Sequence, residues 1–98
     1  MTGIFNGLAA TRTRLALLRA INNDPGRVYL DPEEHAVWDA SLGMRVTERV
    51  KEFIRHDWVR ALTPDEPRGR GERPGRGYFR LKETGLRVLA AERGQNRG

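Results

Sequence analysis

The feature that most constrains the fold of this chain is a polar segment at residues 63–77, which reads TPDEPRGRGERPGRG. It holds three of the five prolines of the chain, together with four glycines, four arginines and no apolar side chain. A segment of this composition has no apolar surface to bury, so it cannot form part of a hydrophobic core. Because the apolar runs VRAL and YFRL flank it, we expect it to be the tip of a long β-hairpin.

Charge is distributed unevenly along the 98 residues. The chain carries 18 Lys and Arg against 13 Asp and Glu, a net charge of +5, and sixteen of the basic residues are arginine. Residues 24–44 hold five acids and one base, whereas residues 68–80 hold five arginines and the single acid Glu72. A segregated basic surface indicates a polyanionic partner, with nucleic acid favoured over a membrane surface. Codon bias in a GC-rich genome would also favour arginine, so its placement is more informative than its frequency.

Composition and motifs argue against several classes of protein. No apolar run approaches the roughly 20 residues of a membrane-spanning helix, and no signal-peptide pattern opens the chain, so we expect a soluble cytoplasmic protein. The chain has no cysteine, and its two histidines, His35 and His56, lack metal-ligand spacing. The glycine-rich segment lacks the Gly-Lys-Ser/Thr ending of a phosphate-binding loop. We therefore predict a protein that is not an enzyme and that uses no cofactor and no metal.

The first half of the chain has a helical pattern with one interruption. Apolar residues recur at three- and four-residue steps over residues 4–22, which predicts a helix, with residues 1–11 as a possible N-terminal arm. Val28–Leu30 is expected to be a short strand. Asp31 can cap a helix and Pro32 suits its first position, so a second helix is predicted from Pro32 to Ala40.

The second half is predicted to contain a helix, a hairpin and a final helix within one domain spanning residues 1–98. A helix over residues 44–56 would place Val50, Phe53 and Ile54 on its inner face. Asp57 is expected to end it in the left-handed conformation. Residues 58–62 and 78–81 would form the strands, residues 86–90 the last helix, and residues 94–98 a frayed tail. Because they sit beside apolar stripes, both tryptophans are predicted to be core residues, namely Trp38 and Trp58.

Two stretches of this half resemble the winged helix-turn-helix superfamily. RVTERVKEFIRHDWVRAL, residues 45–62, is similar to the recognition helix and following strand of that superfamily. GYFRLKETGLRVLA, residues 77–90, is similar to the second wing strand and last helix of small bacterial, phage or mobile-element regulators. The resemblance spans about residues 12–93. It implies an α+β fold with a three-helix core, a two- to three-stranded β-wing and a C-terminal helix.

The resemblance also implies a DNA-binding surface. The helix at 44–56 would lie in the major groove, and an arginine-rich wing at 68–76 would reach the minor groove or the phosphates. Arginine can pair with guanine, and glutamate can accept from cytosine. The candidate residues are Arg45, Thr47, Glu48, Arg49, Lys51 and Arg55 on the helix, and Arg68, Arg70, Arg73 and Arg76 on the wing. The competing interpretations are a solvated ion-pair face for the helix and a plain soluble loop for the wing.

The expected function is that of a transcriptional regulator that binds double-stranded DNA and is nucleoid-associated when bound. Because one recognition helix reads only about 3–5 base pairs, a homodimer through the N-terminal or C-terminal helix is also expected. Two alternatives stay open. One is a sequence-tolerant architectural, replication or partition protein. The other is a protein-interaction module without DNA binding, for which the acidic region 24–44 would be the docking face.

Overall fold

A computed structural model describes residues 3–95 of the chain. Three helices and seven short strands alternate along these residues, and the strands pair into three small antiparallel sheets, β1–β2, β3–β4–β5 and β6–β7. The elements are β1 Ile4–Phe5, β2 Leu8–Ala9, α1 Arg12–Asn23, β3 Val28–Asp31, β4 Ala36–Asp39, β5 Met44–Arg45, α2 Thr47–Arg55, β6 Val59–Ala61, β7 Phe79–Leu81 and α3 Glu83–Gln95. Within this range no helix has the length and apolar character needed to cross a membrane. Residues 1–2 of the predicted arm and 96–98 of the predicted tail lie outside the described range.

The prediction of a winged helix-turn-helix fold is wrong, because the second helix does not form. A three-stranded sheet stands between α1 and α2, so the described residues contain a small α+β domain without that helix pair. Asp31 does accept the N–H groups of Glu33 and Glu34, at 2.9 and 3.3 Å, as a helix cap would. His35 then takes a φ of 53° and turns the chain back. The cap-like carboxylate therefore closes a hairpin turn rather than a helix.

An ion pair to a buried carboxylate stabilises the strand that replaces the predicted helix. β4 pairs with β3 along its length, with Val28 opposite Asp39. Asp39 is 2% exposed and faces the interior, where Arg27 donates to both of its carboxylate oxygens at 2.9 and 3.1 Å. Burial raises the pKa of Asp39, but hydrogen bonds from Arg27 and from backbone N–H groups outweigh it and hold that pKa below its usual value. The strand thus depends on a partner twelve residues earlier.

The N-terminal residues form a hairpin where a helix was expected. Asn6 and Gly7 take φ angles of 50° and 80°, as a type I′ turn requires, and join β1 to β2. Helix α1 begins only after Thr11, whose hydroxyl accepts the Arg14 N–H at 3.3 Å. Leu8 is buried in the core and Phe5 packs against it, whereas Ile4, at the same apolar end that was predicted to extend a dimerisation helix, is 72% exposed.

The core lies between the helices and the inner sides of the sheets. Phe53 is stacked on Trp58, with ring centroids 5.2 Å apart and an interplanar angle of 17°. Val50, Phe53 and Trp58 are at most 1% exposed, which confirms the predicted inner face of α2 and the core position of Trp58. Ile54 is 42% exposed, so its predicted place on that face is wrong. Asp57 has a φ of 62°, which confirms the left-handed end predicted for this helix.

The predicted hairpin is also confirmed, in a form that joins the larger sheet. β6 and β7 are antiparallel, with Val59 opposite Leu81. Just before β7, Gly77 exchanges two backbone hydrogen bonds with Leu30 of β3, at 2.8 and 3.0 Å. The end of the long β6–β7 loop therefore lies at the free edge of β3, where Arg76 covers the Tyr29 ring.

Candidate nucleic-acid interface

Helix α2 presents most of its predicted site residues to solvent. Glu48, Lys51 and Arg55 are exposed on the side opposite Val50 and Phe53, and Arg49 is exposed on a flank of the helix. Thr47 is different, because its hydroxyl accepts the Val37 N–H at 2.9 Å and so joins the start of the helix to β4. That hydroxyl therefore has a hydrogen-bond partner within the fold, whereas the four charged side chains are exposed to solvent.

Another acid of α2, Glu52, takes part in the packing of the helix. Arg14 donates from Nε and Nη2 to the two carboxylate oxygens of Glu52, at 2.9 and 3.1 Å. These hydrogen bonds lower the pKa of Glu52, more than partial burial raises it, and the nearby charge of Arg49 adds to the lowering. The bidentate pair connects α1 to α2 and fixes which side of α2 faces outward.

The β6–β7 loop is anchored at its first end by a carboxylate. Glu66 receives two hydrogen bonds from Arg60, at 2.6 and 2.9 Å, and further ones from the N–H and hydroxyl of Thr63, each at 3.0 Å. Arg60 and Thr63 together lower the pKa of Glu66 to about 2. This acid therefore stays ionised and holds the loop at the end of β6 over a wide pH range.

A second carboxylate anchors the middle of the loop. The Glu72 side chain is 2% exposed, and it accepts the Gly69 N–H and two hydrogen bonds from Arg80, at 2.6 and 2.7 Å. Arg80 lowers the pKa of Glu72 and more than offsets the rise caused by burial. The hydroxyl of buried Tyr78 accepts the Arg73 N–H at 2.6 Å.

Two glycines let this loop lie directly on the turn after α1. Gly26 and Gly71 take φ angles of 90° and 89°, and a Cβ at Gly26 would collide with the Gly71 carbonyl group. A Cβ at Gly71 would lie 2.9 Å from the carbonyl oxygen of Pro25. The arginine-rich segment is therefore held against the domain, and three of its arginines, Arg68, Arg70 and Arg73, are exposed.

The loop arginines differ in their surroundings. Arg68, Arg70 and Arg73 are exposed. Arg76 is half-buried, with its guanidinium carbon 3.9 Å from the centroid of the Tyr29 ring. The last predicted arginine of the loop thus covers an aromatic side chain of the neighbouring sheet.

Arg45, predicted on the recognition helix, lies on strand β5. Its guanidinium carbon is 5.3 Å from the centroid of the Trp38 ring, and its Nη2 atom is 3.4 Å from Glu34. Trp38 is half-buried on the outer face of the sheet, so the prediction that it belongs to the core is wrong. Val37 occupies the inner face instead, and a strand assignment for this segment would have shown that alternation.

Trp38 belongs to a row of four side chains that the sequence interpretation missed. Tyr29 of β3 lies opposite Trp38 of β4, which lies opposite Arg45 of β5, and Arg76 covers Tyr29 at the other end. We call these four residues the arginine–aromatic row. It connects the two predicted groups of cations, because Arg76 belongs to the loop and Arg45 directly precedes the first turn of α2.

Ion pairing within residues 3–95 leaves these cations largely without acidic partners. Nine of the acids pair with basic residues, eight of them outside the predicted site and one, Glu34, with Arg45. Of the eight predicted cationic residues only Arg45 is paired. The seven with no carboxylate within 4.0 Å in the described range are Arg49, Lys51, Arg55, Arg68, Arg70, Arg73 and Arg76.

The surface offers a shallow groove beside these charges but no metal-ligand cluster in the described part of the chain. The groove, of about 440 Å³, runs between the β3–β4 turn and the first turn of α2, and its lining includes Glu34, His35, Arg45 and Lys51. No group of three or more His, Cys, Asp and Glu residues within the described range could hold a metal ion. The open groove and its charged lining suit a polar, extended ligand.

Comparisons of the chain with protein-family models, with curated proteins and with solved structures found no match. Its function is therefore inferred from the geometry and charge of the residues described above.

Proposed function

We propose that this protein binds nucleic acid through its unpaired cations on α2 and on the β6–β7 loop. The observation that carries the proposal is the division of charge just described: nine acids are paired within the fold, while seven predicted site cations have no acidic partner in the described range. Cations that are not neutralised internally can pair with phosphates and release the counterions condensed on a nucleic acid. The net charge of +5 favours the same partner.

Duplex DNA, bound in a transcriptional role, is the first form of this function to test. Lys51 and Arg55 lie on one exposed side of a nine-residue helix, Arg49 is exposed on its flank, and an α-helix fits the major groove. Phosphate contacts position a protein without reading sequence directly. Sequence-tolerant binding, as in an architectural, replication or partition protein, therefore remains an alternative to a specific regulator.

A docking role for the acidic region 24–44 has less support. Asp24 and Asp39 both pair with Arg27, at 3.3 and 2.9 Å, and Glu34 is 3.4 Å from Arg45. Much of the negative charge that the sequence places in this region is therefore neutralised within the chain. A basic partner would meet a weaker field here than the net composition of the segment suggests.

Self-association is proposed through α3 or through the N-terminal hairpin. Leu86 on α3 is 50% exposed and Ile4 on β1 is 72% exposed, while Leu8 is buried. Light scattering at high micromolar concentration tests for the homodimer. A Leu86→Glu variant that stays dimeric would exclude the α3 surface, and an Ile4→Glu variant that stays dimeric would exclude the N-terminal one.

The experiment that tests the function is a salt titration of binding to DNA duplexes. A random duplex pool and a duplex selected from it by the protein are compared between about 50 and 200 mM salt. We expect binding to both at low salt, with the apparent affinity falling linearly on logarithmic axes. A specific regulator retains the selected duplex at salt that removes the random pool. Absence of binding to either duplex at low salt would contradict the proposal for DNA.

A matched pair of variants assigns that binding to the loop. Arg70→Ala/Arg73→Ala removes two exposed loop charges, and Arg87→Ala/Arg93→Ala removes two exposed charges from α3. With about 0.9 of slope per phosphate contact, the loop variant should flatten the salt dependence by about 2, and the α3 variant should leave it close to wild type. Equal slopes for both variants would mean that general charge, and not the loop, drives binding.

A further inference from the structure

The arginine–aromatic row has chemistry that phosphate binding by exposed cations does not use. Two aromatic rings, Tyr29 and Trp38, lie side by side on the outer face of the sheet and are only half-buried. Each has a guanidinium over its ring, Arg76 at 3.9 Å and Arg45 at 5.3 Å from the respective centroid. The other tryptophan, Trp58, is fully buried and stacks on Phe53 within the core.

The row combines the two features of surfaces that bind unpaired bases. Aromatic side chains stack on the faces of bases irrespective of sequence, and guanidinium groups stack on bases or pair with phosphates. Neighbouring strands lie about 4.8 Å apart, so Tyr29 and Trp38 offer adjacent stacking positions. Arg45 lies farther from its ring than Arg76 does from its own, which leaves Trp38 the more open of the two.

The position of the row also matches a strand that runs from the loop towards α2. Arg68, Arg70 and Arg73 are exposed on the loop that contains Arg76, and Lys51 lines the groove beside Arg45. A single strand crossing the sheet face would therefore have unpaired cations near both of its ends. In a duplex the base faces are already stacked and paired, so they cannot use the rings.

We propose that the arginine–aromatic row binds unpaired bases of single-stranded nucleic acid. One base stacks on Trp38, the next lies at the Tyr29–Arg76 pair, and the loop and α2 cations pair with the flanking phosphates. This inference rests on the proposed nucleic-acid binding and names its ligand more narrowly: segments with unpaired bases are preferred over fully paired duplex.

Tryptophan fluorescence tests the stacking directly, because one of the two tryptophans is inaccessible. Trp58 is 0% exposed, so a ligand that quenches emission by contact acts on Trp38. The probe is an oligothymidylate of about ten nucleotides, compared with a duplex of equal length at the same salt. We expect the single strand to quench emission and to bind more tightly than the duplex. In Trp38→Phe the quenching should disappear.

Two alanine variants on opposite faces of the sheet distinguish stacking from general damage. Trp38→Ala should weaken binding of the oligothymidylate about tenfold, as expected for one stacked base, and leave duplex binding unchanged. Met44→Ala is the control and should leave both affinities unchanged, because Met44 is half-exposed on the neighbouring strand but lies opposite Asp39, on the other face of the sheet from Trp38. If Trp38→Ala fails to fold, quenching in the wild-type protein and its loss in Trp38→Phe decide the question.

The outcomes separate this inference from the function on which it rests. Two results would overturn the stacking role and leave nucleic-acid binding in place. One is single-strand binding without a change in Trp38 emission, and the other is binding of the duplex alone. Absence of binding to both ligands would overturn both proposals. Quenching and a selective loss in Trp38→Ala would support both.

Discussion

The β6–β7 loop has arginines in two different roles. We call the buried carboxylate of Glu72 and its partner Arg80 the base of the loop, and the exposed residues Arg68, Arg70 and Arg73 its rim. At the base, Arg80 gives two hydrogen bonds to the buried carboxylate of Glu72. At the rim, Arg70 and Arg73 are exposed and have no carboxylate within ion-pairing distance among the described residues. The difference shows that a run of arginines can contain both structural and surface charges. An arginine with a carboxylate partner takes part in the fold, and an arginine without one stays on the surface.

The comparison also explains how a polar, glycine-rich segment keeps a defined path. Its backbone is held by Glu72 and by the Tyr78 hydroxyl, and Gly71 fits closely against Gly26. None of these contacts requires the apolar side chains that the segment lacks. The rim charges are thus carried on a base that is already ordered, so binding a polyanion need not order the backbone first.

The largest effect on stability is expected from replacing Glu72, the buried carboxylate of the loop. Glu72→Gln keeps the shape of the side chain but leaves Arg80 without its charge partner and weakens the bond from Gly69. We expect the free energy of unfolding to fall by about 2–3 kcal/mol, because hydrogen bonds to a buried charged group are among the strong ones. Chemical denaturation measures this change.

The matched control is Glu66→Gln at the exposed first end of the loop. Its carboxylate also makes a bidentate pair with an arginine, but the pair is solvated and should contribute much less to stability. Equal losses for the two variants would mean that burial does not distinguish the two anchors.

A smaller effect on the unfolding free energy is expected when pH changes the ionisation of Glu72. The folded-state pKa of Glu72 is lowered from its usual value of 4.5 by Arg80. The stability that this ionised carboxylate contributes is therefore present above its usual pKa and is lost as pH falls through the lowered folded-state pKa. The difference in unfolding free energy between wild type and Glu72→Gln should be constant near neutral pH and should narrow in acid. A difference that widens in acid would contradict this assignment.

The smallest effect on stability is expected at the rim. Arg68→Ala/Arg70→Ala/Arg73→Ala removes three exposed side chains that make no ion pair within the described range. The unfolding free energy should stay within about 0.5 kcal/mol of wild type, while nucleic-acid affinity falls. A loss of stability as large as that of Glu72→Gln would show that these three arginines contribute to the fold as Arg80 does.

Local patterns predicted some elements well because their causes lie within a few residues. The three- and four-residue spacing of Val50 and Phe53 defines one side of α2 wherever that helix packs. The ability of Asp57 to adopt a left-handed conformation ends the helix. The absence of apolar side chains from residues 63–77 keeps that segment out of the core. The Asn6-Gly7 pair was an equally local signal for the first hairpin, and the helical pattern obscured it.

Other features could not be predicted because their causes lie far away in the chain. Asp31 satisfies the same N–H groups in a hairpin turn as at a helix start. The choice between the two is settled by β4, which pairs with β3 while Arg27 neutralises its buried Asp39. Trp38 faces outward for the same reason, because the alternation of a strand replaces the periodicity of a helix.

The sequence by itself determined the excess of basic residues, the buried face of α2 and the exclusion of the arginine-rich segment from the core. These follow from composition and short-range spacing. Only the tertiary structure decided which arginines are paired, since Arg14 meets Glu52 across 38 residues and Lys82 meets Asp57 across 25. It also placed Tyr29, Trp38, Arg45 and Arg76 in one row. The physical reason is that ion pairs and cross-strand neighbours exist only after separate elements have packed, and packing depends on the whole chain.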